Sequence, residues 1–377
     1  MRKPLRLWVT GIIIMLAAAT GALALYLAPG FGAAPQGERK ALIERSPHYR
    51  DGQFQNQEPT RVFTGEGNQW AAWGEFLFKR IDNLKPAHPL PLVHTDIASL
   101  DKNEAVALWL GHSSWYLQLA GKRILIDPVF SGYASPFALF NRAFTGDYPW
   151  SANDMPEIDL LVISHDHYDH LDYATIRALR PKIRQVVTPL GVGSHLEAWG
   201  VSPSRIRELD WQQSVSIADD LTLYALPARH FSGRGLKGNQ TLWASFLFET
   251  PQQKLYYSGD SGYGPHFKAI GERFGGVDLA IMENGQYDRD WSQIHMMPEE
   301  TAQAAQDLGA KRVLPGHNGR FAMAKHAWND PLKRLAAASQ DKPYQLLTPR
   351  PGEPVRLMDT QQRFRAWWED DETVAPR

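Results

Sequence analysis

The chain has 377 residues, a length typical of one large domain or two ordinary ones. Hydrophobic residues make up 43% and charged residues 21%, so a large core can be buried; the balance of 40 basic against 41 acidic residues gives no support for bulk nucleic-acid binding. The chain has no cysteine, which excludes disulfides and thiolate metal ligands. Any site for a soft metal must therefore be built from His, Asp and Glu.

The N-terminus combines a basic start with a long uncharged run. Arg2, Lys3 and Arg6 come first, and residues 7–28 then carry no charge over 22 positions. About 20 apolar residues span a bilayer, whereas the apolar core of a cleavable signal peptide has about 7–15. The run favours an uncleaved signal anchor, with the rest of the chain on the periplasmic or extracytoplasmic side of the membrane. A cleaved signal peptide is the alternative, because residues 31–34 include small side chains.

Four segments are predicted along the chain. They are the signal anchor or signal peptide (1–28), a linker and extended lead-in rich in Pro, Gly, Gln and Arg (29–62), the main domain (63–360) and a C-terminal tail (361–377). Apolar residues at helical spacing predict helices at 70–81, 172–180, 194–199 and 298–308. Apolar runs bounded by turn residues predict strands at 105–110, 115–119, 123–126, 158–163, 185–188, 221–226, 242–248, 254–258, 277–282 and 312–314. The interleaving of strands and helices predicts an α/β fold in which helices cover the sheets, an αββα-like sandwich.

Four of the predicted strands end beside a side chain that can bind metal. The pairs of strand end and candidate ligand are Ile163 and His165, Leu226 and His230, Ser258 and Asp260, and Leu314 and His317. A single histidine near the end of an element is usually hydrogen-bonded structure, but ligands gather at strand ends in α/β proteins. Four such positions in succession therefore predict one shared site.

The segment from His165 to His170 reads His-Asp-His-Tyr-Asp-His and holds the most candidates. His165 and His167 are two positions apart, so on an extended segment they point the same way. Asp169 and His170 follow on an expected tight turn. Imidazole and carboxylate are the zinc ligands available to this chain. Two ions about 3.5–4 Å apart need more ligands than one segment supplies, and the three downstream strand ends are predicted to supply them.

This pattern resembles the signature of metallo-β-lactamase-fold hydrolases, in which H-x-H-x-D-H follows an apolar strand and the later order is His, then Gly-Asp, then Gly-His. The finer resemblance is to the N-acyl-phosphatidylethanolamine-hydrolysing phospholipase D group and its bacterial relatives. The stretches that carry it are WLGHSS at 109–114, IDPVFS at 126–131, PARHF at 227–231, SGDSGY at 258–263 and IHMMPEE at 294–300. The resemblance covers the chain from residue 46 to residue 335.

The resemblance implies a full set of ligands and supporting residues. His165, His167 and His230 would hold one zinc ion, Asp169, His170 and His317 the second, and Asp260 would bridge both. The family's additional active-site histidine corresponds to His295. Asp127 is expected to support a ligand without binding metal, and for His112 a structural and a functional role are both open.

The resemblance implies a hydrolase in which two metal ions lower the pKa of bound water toward ~7 and the resulting hydroxide attacks the substrate. We predict Asp166 as a proton acceptor, because Asp169 is expected to be occupied as a ligand, and His295 as a donor to a phosphate oxygen or the leaving group. The expected substrate is a phosphodiester, such as an N-acyl-phosphatidylethanolamine, reached through the N-terminal membrane helix.

Three alternatives remain at this point. The same scaffold hosts esterases, lactonases and β-lactamases that act on small substrates. A membrane-tethered protein that binds metal without turnover is a second alternative. A nuclease is the third, but the neutral charge balance and the export signal argue against nucleic acid as a partner. Zinc is the default metal, although His and Asp sites also accept iron or manganese, and the sequence does not indicate the oligomeric state.

Overall fold

Two mixed β-sheets of seven strands each form the centre of the described chain. The structure is a computed structural model that describes residues 3–66, 74, 81–235 and 237–369. The predicted helix at 70–81 falls almost entirely outside the described residues, as does the end of the predicted tail from residue 370 onwards.

All predicted strands are present, with ends that differ by at most three residues. The strands of the described chain are β1 (Tyr49–Arg50), β2 (Gln53–Phe54), β3 (Val106–Trp109), β4 (Trp115–Leu119), β5 (Lys122–Ile126), β6 (Ile158–Val162), β7 (Ile183–Pro189), β8 (Ile206–Leu209), β9 (Ser214–Ala218), β10 (Leu221–Leu226), β11 (Ser245–Glu249), β12 (Lys254–Tyr257), β13 (Leu279–Glu283), β14 (Arg312–Gly316), β15 (Gln345–Leu346) and β16 (Val355–Arg356). Strands β8 and β9 and the two-residue strands were not predicted.

The two large sheets have similar topologies, each with antiparallel pairs at one end and parallel pairs at the other. The first has the order β16-β3-β4-β5-β6-β7-β8 and the second the order β15-β14-β13-β12-β11-β10-β9. In the first sheet the pairs from β16 to β5 are antiparallel and the pairs from β5 to β8 are parallel. In the second sheet the pairs from β9 to β12 are antiparallel and those from β12 to β15 are parallel. Strands β6, β12, β13 and β14, which belong to the parallel parts, therefore end next to parallel neighbours, where their following loops gather.

The helices of the described chain lie at the N-terminus and on the outer faces of the sheets. They are α1 (Lys3–Phe31), α2 (Gly37–Glu44), α3 (Tyr173–Leu179), α4 (Gly193–Ala198), α5 (His266–Phe274), α6 (Pro298–Asp307) and α7 (Asp330–Ala338). Helices α3, α4 and α6 coincide with predicted helices.

Three apolar layers hold these elements together. The largest buried cluster lies between the two sheets and takes side chains from both, such as Ile124 and Phe246. A second cluster packs the other face of the first sheet against α3 and α4, and a third packs the other face of the second sheet against α5 and α6. The order helix, sheet, sheet, helix confirms the predicted α/β sandwich.

Helix α5 was missed because of a glycine. Gly271 lies in its middle, and glycine is a poor helix former in an isolated sequence. In the fold, a β-carbon at Gly271 would lie only 2.7 Å from the main-chain oxygens of Asp307 and Leu308, at the end of α6. The glycine therefore permits a close helix contact, and tertiary packing overrides the local propensity.

The N-terminal helix α1 includes the uncharged run of the sequence. Over the residues that the structure describes, no helix meets the combined length and apolarity needed to cross a membrane. The signal anchor therefore stays a prediction.

The C-terminal end of this helix is attached to the main domain by buried polar groups. Arg234 donates to the main-chain oxygen of Gly30 at 2.7 Å and to the oxygens of Asp166 and Leu171 at 2.8 and 2.7 Å. Trp199 donates its indole N–H to the oxygen of Pro29 at 2.6 Å. The buried guanidinium of Arg234 thus joins Gly30 to Asp166, which lies in the His165–His170 segment.

The C-terminal segment also contributes to the core. Trp367 and Trp368 are each 3% exposed and belong to the cluster between the sheets. Both lie in the predicted tail, so the described part of that tail packs on the domain.

The contacts at residues 29–33 give a stability prediction. A chain that begins at Pro35 loses the carbonyl partners of Trp199 and Arg234, and leaving buried donors unpaired costs about 1–3 kcal/mol. Compared with a chain that begins at Pro29, we expect a melting temperature lower by about 2–6 °C in calorimetry. Equal melting temperatures would mean that the segment adds nothing to the domain.

Candidate metal centre

The loops that carry the predicted ligands converge at one edge of the sandwich. His165–His170 follow β6, His230 follows β10, Asp260 follows β12 and His317 follows β14. β6 belongs to the first sheet and the other three strands to the second. The structure brings all seven predicted ligands together, in groups whose donor atoms lie within 4.8 Å of one another.

The first group contains His165, His167, His230 and Asp260. His167 Nδ1 lies 2.9 Å from His165 Nε2 and 3.2 Å from His230 Nε2. Asp260 Oδ2 lies 3.7 Å from the Nε2 atoms of His165 and His230. Zinc–ligand bonds of 2.0–2.1 Å in a tetrahedron place the ligand atoms about 3.3 Å apart. The four atoms therefore already have the spacing of a tetrahedral site.

The second group contains Asp169, His170 and His317, and it shares Asp260 with the first. His170 Nε2 is 3.4 Å from Asp169 Oδ2 and 3.1 Å from Asp260 Oδ2. His317 Nδ1 is 3.1 Å from Asp260 Oδ1 and 4.0 Å from Asp169 Oδ2. Asp260 therefore contacts both groups: Oδ2 lies near His170 as well as the first group, and Oδ1 lies near His317.

Among the predicted ligands, three buried atoms make no hydrogen bond. They are His170 Nε2, Asp260 Oδ1 and His317 Nε2. Buried polar atoms are nearly always satisfied by a partner in the protein, by water or by an ion. These atoms are lone-pair donors on imidazole and carboxylate, so the residues fit metal cations.

The protonation of four of the five predicted ligand histidines also suits metal binding; for His170, although burial opposes it, the carboxylates of Asp260 and Asp169 raise the pKa well above its ordinary value. Burial, and then the neighbouring histidines, lower the pKa of His165, His230 and His317 well below the ordinary value. Burial lowers the pKa of His167 to about 4. These rings are neutral at neutral pH, the form in which imidazole binds a metal. Burial raises the pKa of Asp260 to about 7, so a nearby cation would stabilise its carboxylate.

Asp127 contacts one ring nitrogen of the predicted ligand His170. Its carboxylate lies 2.8 Å from His170 Nδ1 and accepts from the backbone N–H of Ser164 at 2.7 Å and from the Tyr257 hydroxyl at 2.6 Å. A carboxylate that binds one ring nitrogen of a ligand histidine fixes the ring and leaves the other nitrogen for the metal.

His112 contacts two of the predicted ligands. Its Nε2 lies 2.9 Å from Asp169 Oδ2, and its ring lies 4.3 Å from the ring of His317. The backbones of the two loops are joined as well, because His317 N–H donates to the His112 oxygen at 2.9 Å. His112 and His317 have φ of 51° and 61°, a left-handed conformation that is uncommon outside glycine and that persists where the surroundings impose it. His112 therefore orients Asp169 and belongs to the centre.

His295 and a residue that the sequence did not reveal form a pair beside Asp260. The ring of His295 is stacked 5.2 Å from that of His317, and its Nδ1 is hydrogen-bonded to Glu283 Oε1. Glu283 is the last residue of β13, between the strands that precede Asp260 and His317. Its position at a strand end was available in the sequence, but the predicted strand stopped one residue earlier.

Asp166 points away from the two ligand groups. Its carboxylate accepts from Gly233 N–H at 2.7 Å and the Thr241 hydroxyl at 2.9 Å, and lies 3.3 Å from His195 Nε2. Ala33 N–H donates to the other nitrogen of His195, so the proton of that ring is on Nε2 and faces Asp166. Although burial opposes it, the hydrogen bond from His195 lowers the pKa of Asp166. The predicted proton-accepting role has no support in this geometry.

A cavity of about 350 Å³ opens onto the centre. Its polar part is formed by His167, Asp169, Asp260, His295 and His317, and its apolar wall by Val62, Phe63, Phe231, Trp291, Ile294 and Met323. Among the described residues that line it, none is lysine or arginine. Positive charge at the polar end would therefore come from metal ions and histidines.

Comparison with known proteins agrees with this geometry. The profile of the beta-lactamase superfamily domain matches residues 122–318, which include every predicted ligand. The chain belongs to this family. The predicted family resemblance is therefore confirmed.

Individual relatives align with more of the chain than the family profile does. An uncharacterized protein of Mycobacterium tuberculosis is 40% identical over 358 residues, covering 94% of this chain and 96% of the relative. The N-acyl-phosphatidylethanolamine-hydrolyzing phospholipase D 1 of Caenorhabditis elegans is 31% identical over 252 residues, 62% of this chain and 70% of that protein. The solved isothiocyanate hydrolase from Delia radicum gut bacteria shares the fold, with a TM-score of 0.54, 21% identity, and coverage of 66% of this chain and 98% of its own.

The two ligand groups predict how metal content responds to substitution. We expect the wild-type chain, purified in zinc, to hold about two ions by elemental mass spectrometry. His230→Ala should hold about one, because His230 belongs only to the first group, whereas Asp260→Ala should hold fewer than one.

The matched control for metal content is His48→Ala, since His48 packs on Trp211 and belongs to neither group. Circular dichroism checks that each variant is folded. A His230→Ala variant with the metal content of the wild type would contradict the first group.

Asp166→Asn separates a structural from a catalytic role of Asp166. Because the carboxylate is occupied by three donors, we expect the melting temperature to fall, with a loss of about 1–3 kcal/mol in unfolding free energy. Bound metal should stay unchanged and kcat should fall less than about 10-fold. An unchanged melting temperature with a fall in kcat of about 10²–10⁴ would instead identify Asp166 as the proton acceptor.

Proposed function

We propose that the chain is a hydrolase with two zinc ions that cleaves a phosphodiester bond in phospholipids of the N-acyl-phosphatidylethanolamine type. The observation that carries this proposal is the sharing of Asp260 by two ligand groups at the polar end of a largely apolar cavity. Two bound ions would supply a water of lowered pKa and would neutralise charge on the reacting phosphate.

The relatives support the same substrate class. The Caenorhabditis elegans protein is named for hydrolysis of N-acyl-phosphatidylethanolamine, and the aligned part covers 62% of this chain. Since one scaffold hosts several reactions, the name supports the proposal only together with the site itself.

The charges around the cavity favour a substrate with little charge. Because no lysine or arginine lies among the described lining residues, a phosphate group would meet the ions, His295 and the polar side chains of Asn141, Tyr168 and Gln286. A phosphodiester carries one negative charge, which two divalent ions easily balance. Phosphate monoesters carry a second charge, and proteins usually bind them with arginine or lysine as well.

The apolar wall favours a lipid over a sugar or a nucleotide. Val62, Phe63, Phe231 and Trp291 face the cavity, and its volume of about 350 Å³ lies at the lower end of the range for ligand pockets. A lipid would place its phosphate at the polar end and the first part of a chain against the wall.

Location at a membrane is part of the proposal. The basic start and the uncharged run of residues 7–28 support an N-terminal anchor, with the hydrolase on the extracytoplasmic side. Fractionation of cells, followed by protease treatment of intact spheroplasts, tests the anchor and the side. Recovery of the full-length chain in the soluble fraction would contradict it.

A second candidate is hydrolysis of a small neutral ester or lactone. The apolar wall and the lack of described cationic lining residues fit such a substrate as well, because it has no charge to balance. In this case the ions would stabilise the negative charge that develops on the carbonyl oxygen.

Turnover of defined substrates tests these proposals. We expect the zinc-loaded chain to convert N-acyl-phosphatidylethanolamine in detergent micelles to phosphatidic acid and N-acylethanolamine, detected by mass spectrometry. Chelation should stop turnover and zinc should restore it, because the attacking water depends on the ions.

Lactones, β-lactams and chromogenic phosphodiesters belong in the same panel, and Asp260→Ala is the inactive control. Turnover of lactones with none of any phosphodiester would replace the first proposal by the second. Bound metal without turnover of any substrate would indicate a metal-binding protein.

A further inference from the structure

Arg234 is a buried cation in contact with the metal-binding segment His165–His170. The residue is 5% exposed, and its guanidinium donates to three main-chain oxygens, those of Gly30, Asp166 and Leu171. Burial of a charge is unfavourable unless the charge is hydrogen-bonded. The three backbone segments that supply these oxygens are therefore held to one another through the guanidinium.

Two of the three contacts enclose most of the metal-binding segment. Arg234 Nη1 donates to the oxygen of Asp166 at 2.8 Å and to that of Leu171 at 2.7 Å. Between these positions, the ring centre of Tyr168 lies 4.1 Å from the guanidinium carbon, and the Tyr168 hydroxyl donates to the main-chain oxygen of Arg234 at 2.8 Å. One residue thus fixes the backbone from 166 to 171, which carries three of the predicted ligands, at both ends and in the middle.

The third contact comes from residues 29–33, where α1 ends, which we call the junction segment. Arg234 donates to the oxygen of Gly30 from Nε at 3.1 Å and from Nη2 at 2.7 Å. Trp199, which donates to the oxygen of Pro29 at 2.6 Å, has its ring centre 5.1 Å from the same guanidinium. The junction segment therefore completes the set of oxygens around the buried cation.

A second path leads from the junction segment to the side chain of Asp166. The N–H of Ala33 donates to His195 Nδ1 at 3.1 Å, and His195 Nε2 lies 3.3 Å from Asp166 Oδ2. Asp166 Oδ1 accepts at 2.7 Å from the N–H of Gly233, which lies in the loop after β10. Asp166, which stands between two ligands in the sequence, is thus held by Arg234 at its main chain and by His195 at its side chain.

We propose that Arg234 and the junction segment position the His165–His170 segment for metal binding, so that the affinity for zinc depends on the part of the chain that joins α1 to the domain. Both act through Asp166 and its neighbours and are positioning groups. The inference rests on the metal centre of the proposed function and is independent of the substrate. Cleavage of the chain after residue 34 would then keep all seven predicted ligands and still weaken zinc binding.

A merely structural attachment makes a different prediction. If the junction segment only fastened α1 to the domain, its displacement would lower the melting temperature and leave the zinc affinity unchanged. Loss of residues that orient metal ligands typically weakens metal binding about 10–100-fold. The dissociation constant, measured by competition with a chromogenic chelator, is the suitable readout, because a weakened site is still filled when zinc is in excess.

Gly32→Ala displaces the junction segment without removing any hydrogen-bonding group. Gly32 has a φ of 72°, and a β-carbon there would lie 2.1 Å from His195 Nδ1, so the substitution must separate Ala33 from His195. For the full-length chain in mild detergent, we expect Gly32→Ala to bind zinc about 10–100-fold more weakly than the wild type.

Gly37→Ala is the matched control for this variant. Gly37 has a similar φ of 56°, but a β-carbon there would meet no atom within 4 Å. The control therefore carries the same backbone strain without the collision. We expect it to bind zinc as the wild type does. Wild-type affinity in Gly32→Ala, or an equal loss in Gly37→Ala, would overturn the proposal.

Arg234→Lys tests the other half of the arrangement. Lysine keeps the charge but lacks the planar fork that reaches three oxygens, so we expect zinc binding to weaken at least as much as in Gly32→Ala. The matched control is Arg312→Lys, because Arg312 is 6% exposed and donates to the main-chain oxygens of Leu357 and Asp359 at 2.6 and 3.4 Å. We expect this control to melt at a lower temperature with wild-type zinc affinity. Equal losses of affinity in the two arginine variants would indicate general destabilisation and would contradict the proposal.

Hydrogen–deuterium exchange of the metal-free chain tests the positioning without zinc. We expect peptides that cover residues 164–171 to exchange faster in Gly32→Ala than in the wild type and in Gly37→Ala, whereas peptides of β4 and β5 should exchange alike in all three. Unchanged exchange at 164–171 would overturn the inference. Failure of the wild type to bind zinc would instead count against the proposed function.

Discussion

Asp260 brings a buried carboxylate to the edge of the sandwich where the ligand loops converge, and the centre is arranged around it. Its side chain is 2% exposed, and its Oδ1 has no hydrogen bond. Burial of an ionised carboxylate costs several kcal/mol unless a cation or donors compensate, which is why burial raises its pKa to about 7. The surrounding imidazoles are mostly neutral and cannot compensate fully. Cations between the two ligand groups would remove the penalty, so metal binding and the stability of this region are coupled.

The cost of burying charged and polar groups also explains why three buried residues contact and orient the side chains of the centre. Asp127 orients His170, His112 orients Asp169 and Glu283 orients His295. Asp127 and His112 follow β5 and β3, whereas the residues that they support follow β6; Glu283 ends β13, and His295 lies in the segment after that strand. The first two contacts therefore join one loop to another and help to fix the spacing of the ligand atoms.

The strands, and the side chains that the structure brings together at their ends, could be predicted because both depend on local pattern. A ligand next to a strand end is visible in one short segment, and the metal-binding side chains there are chemically distinctive. Glu283 was missed because glutamate at a strand end resembles a solvated turn until its neighbours β12 and β14 are known. Asp166 was predicted as the proton acceptor because Asp169 was expected to be occupied as a ligand. The two-residue period that puts His165 and His167 on one side of the segment puts Asp166 on the other. The contact of Arg234 with Gly30 joins residues 204 positions apart, and no local pattern reveals it.

The charges of the cavity connect these features to selectivity. With no lysine or arginine among the described lining residues, recognition of an anionic group would depend on the ions, on His295 and on the polar side chains of Asn141, Tyr168 and Gln286. At the polar end, Asp169 is held by His112 and His295 by Glu283. Selectivity among substrates would then depend on the apolar wall, including Val62 and Phe63 from the segment before the sheets and Trp291 from the segment after β13. Because connecting segments tolerate substitution better than the elements that they join, such a wall can change without disturbing the strand ends that carry the ligands.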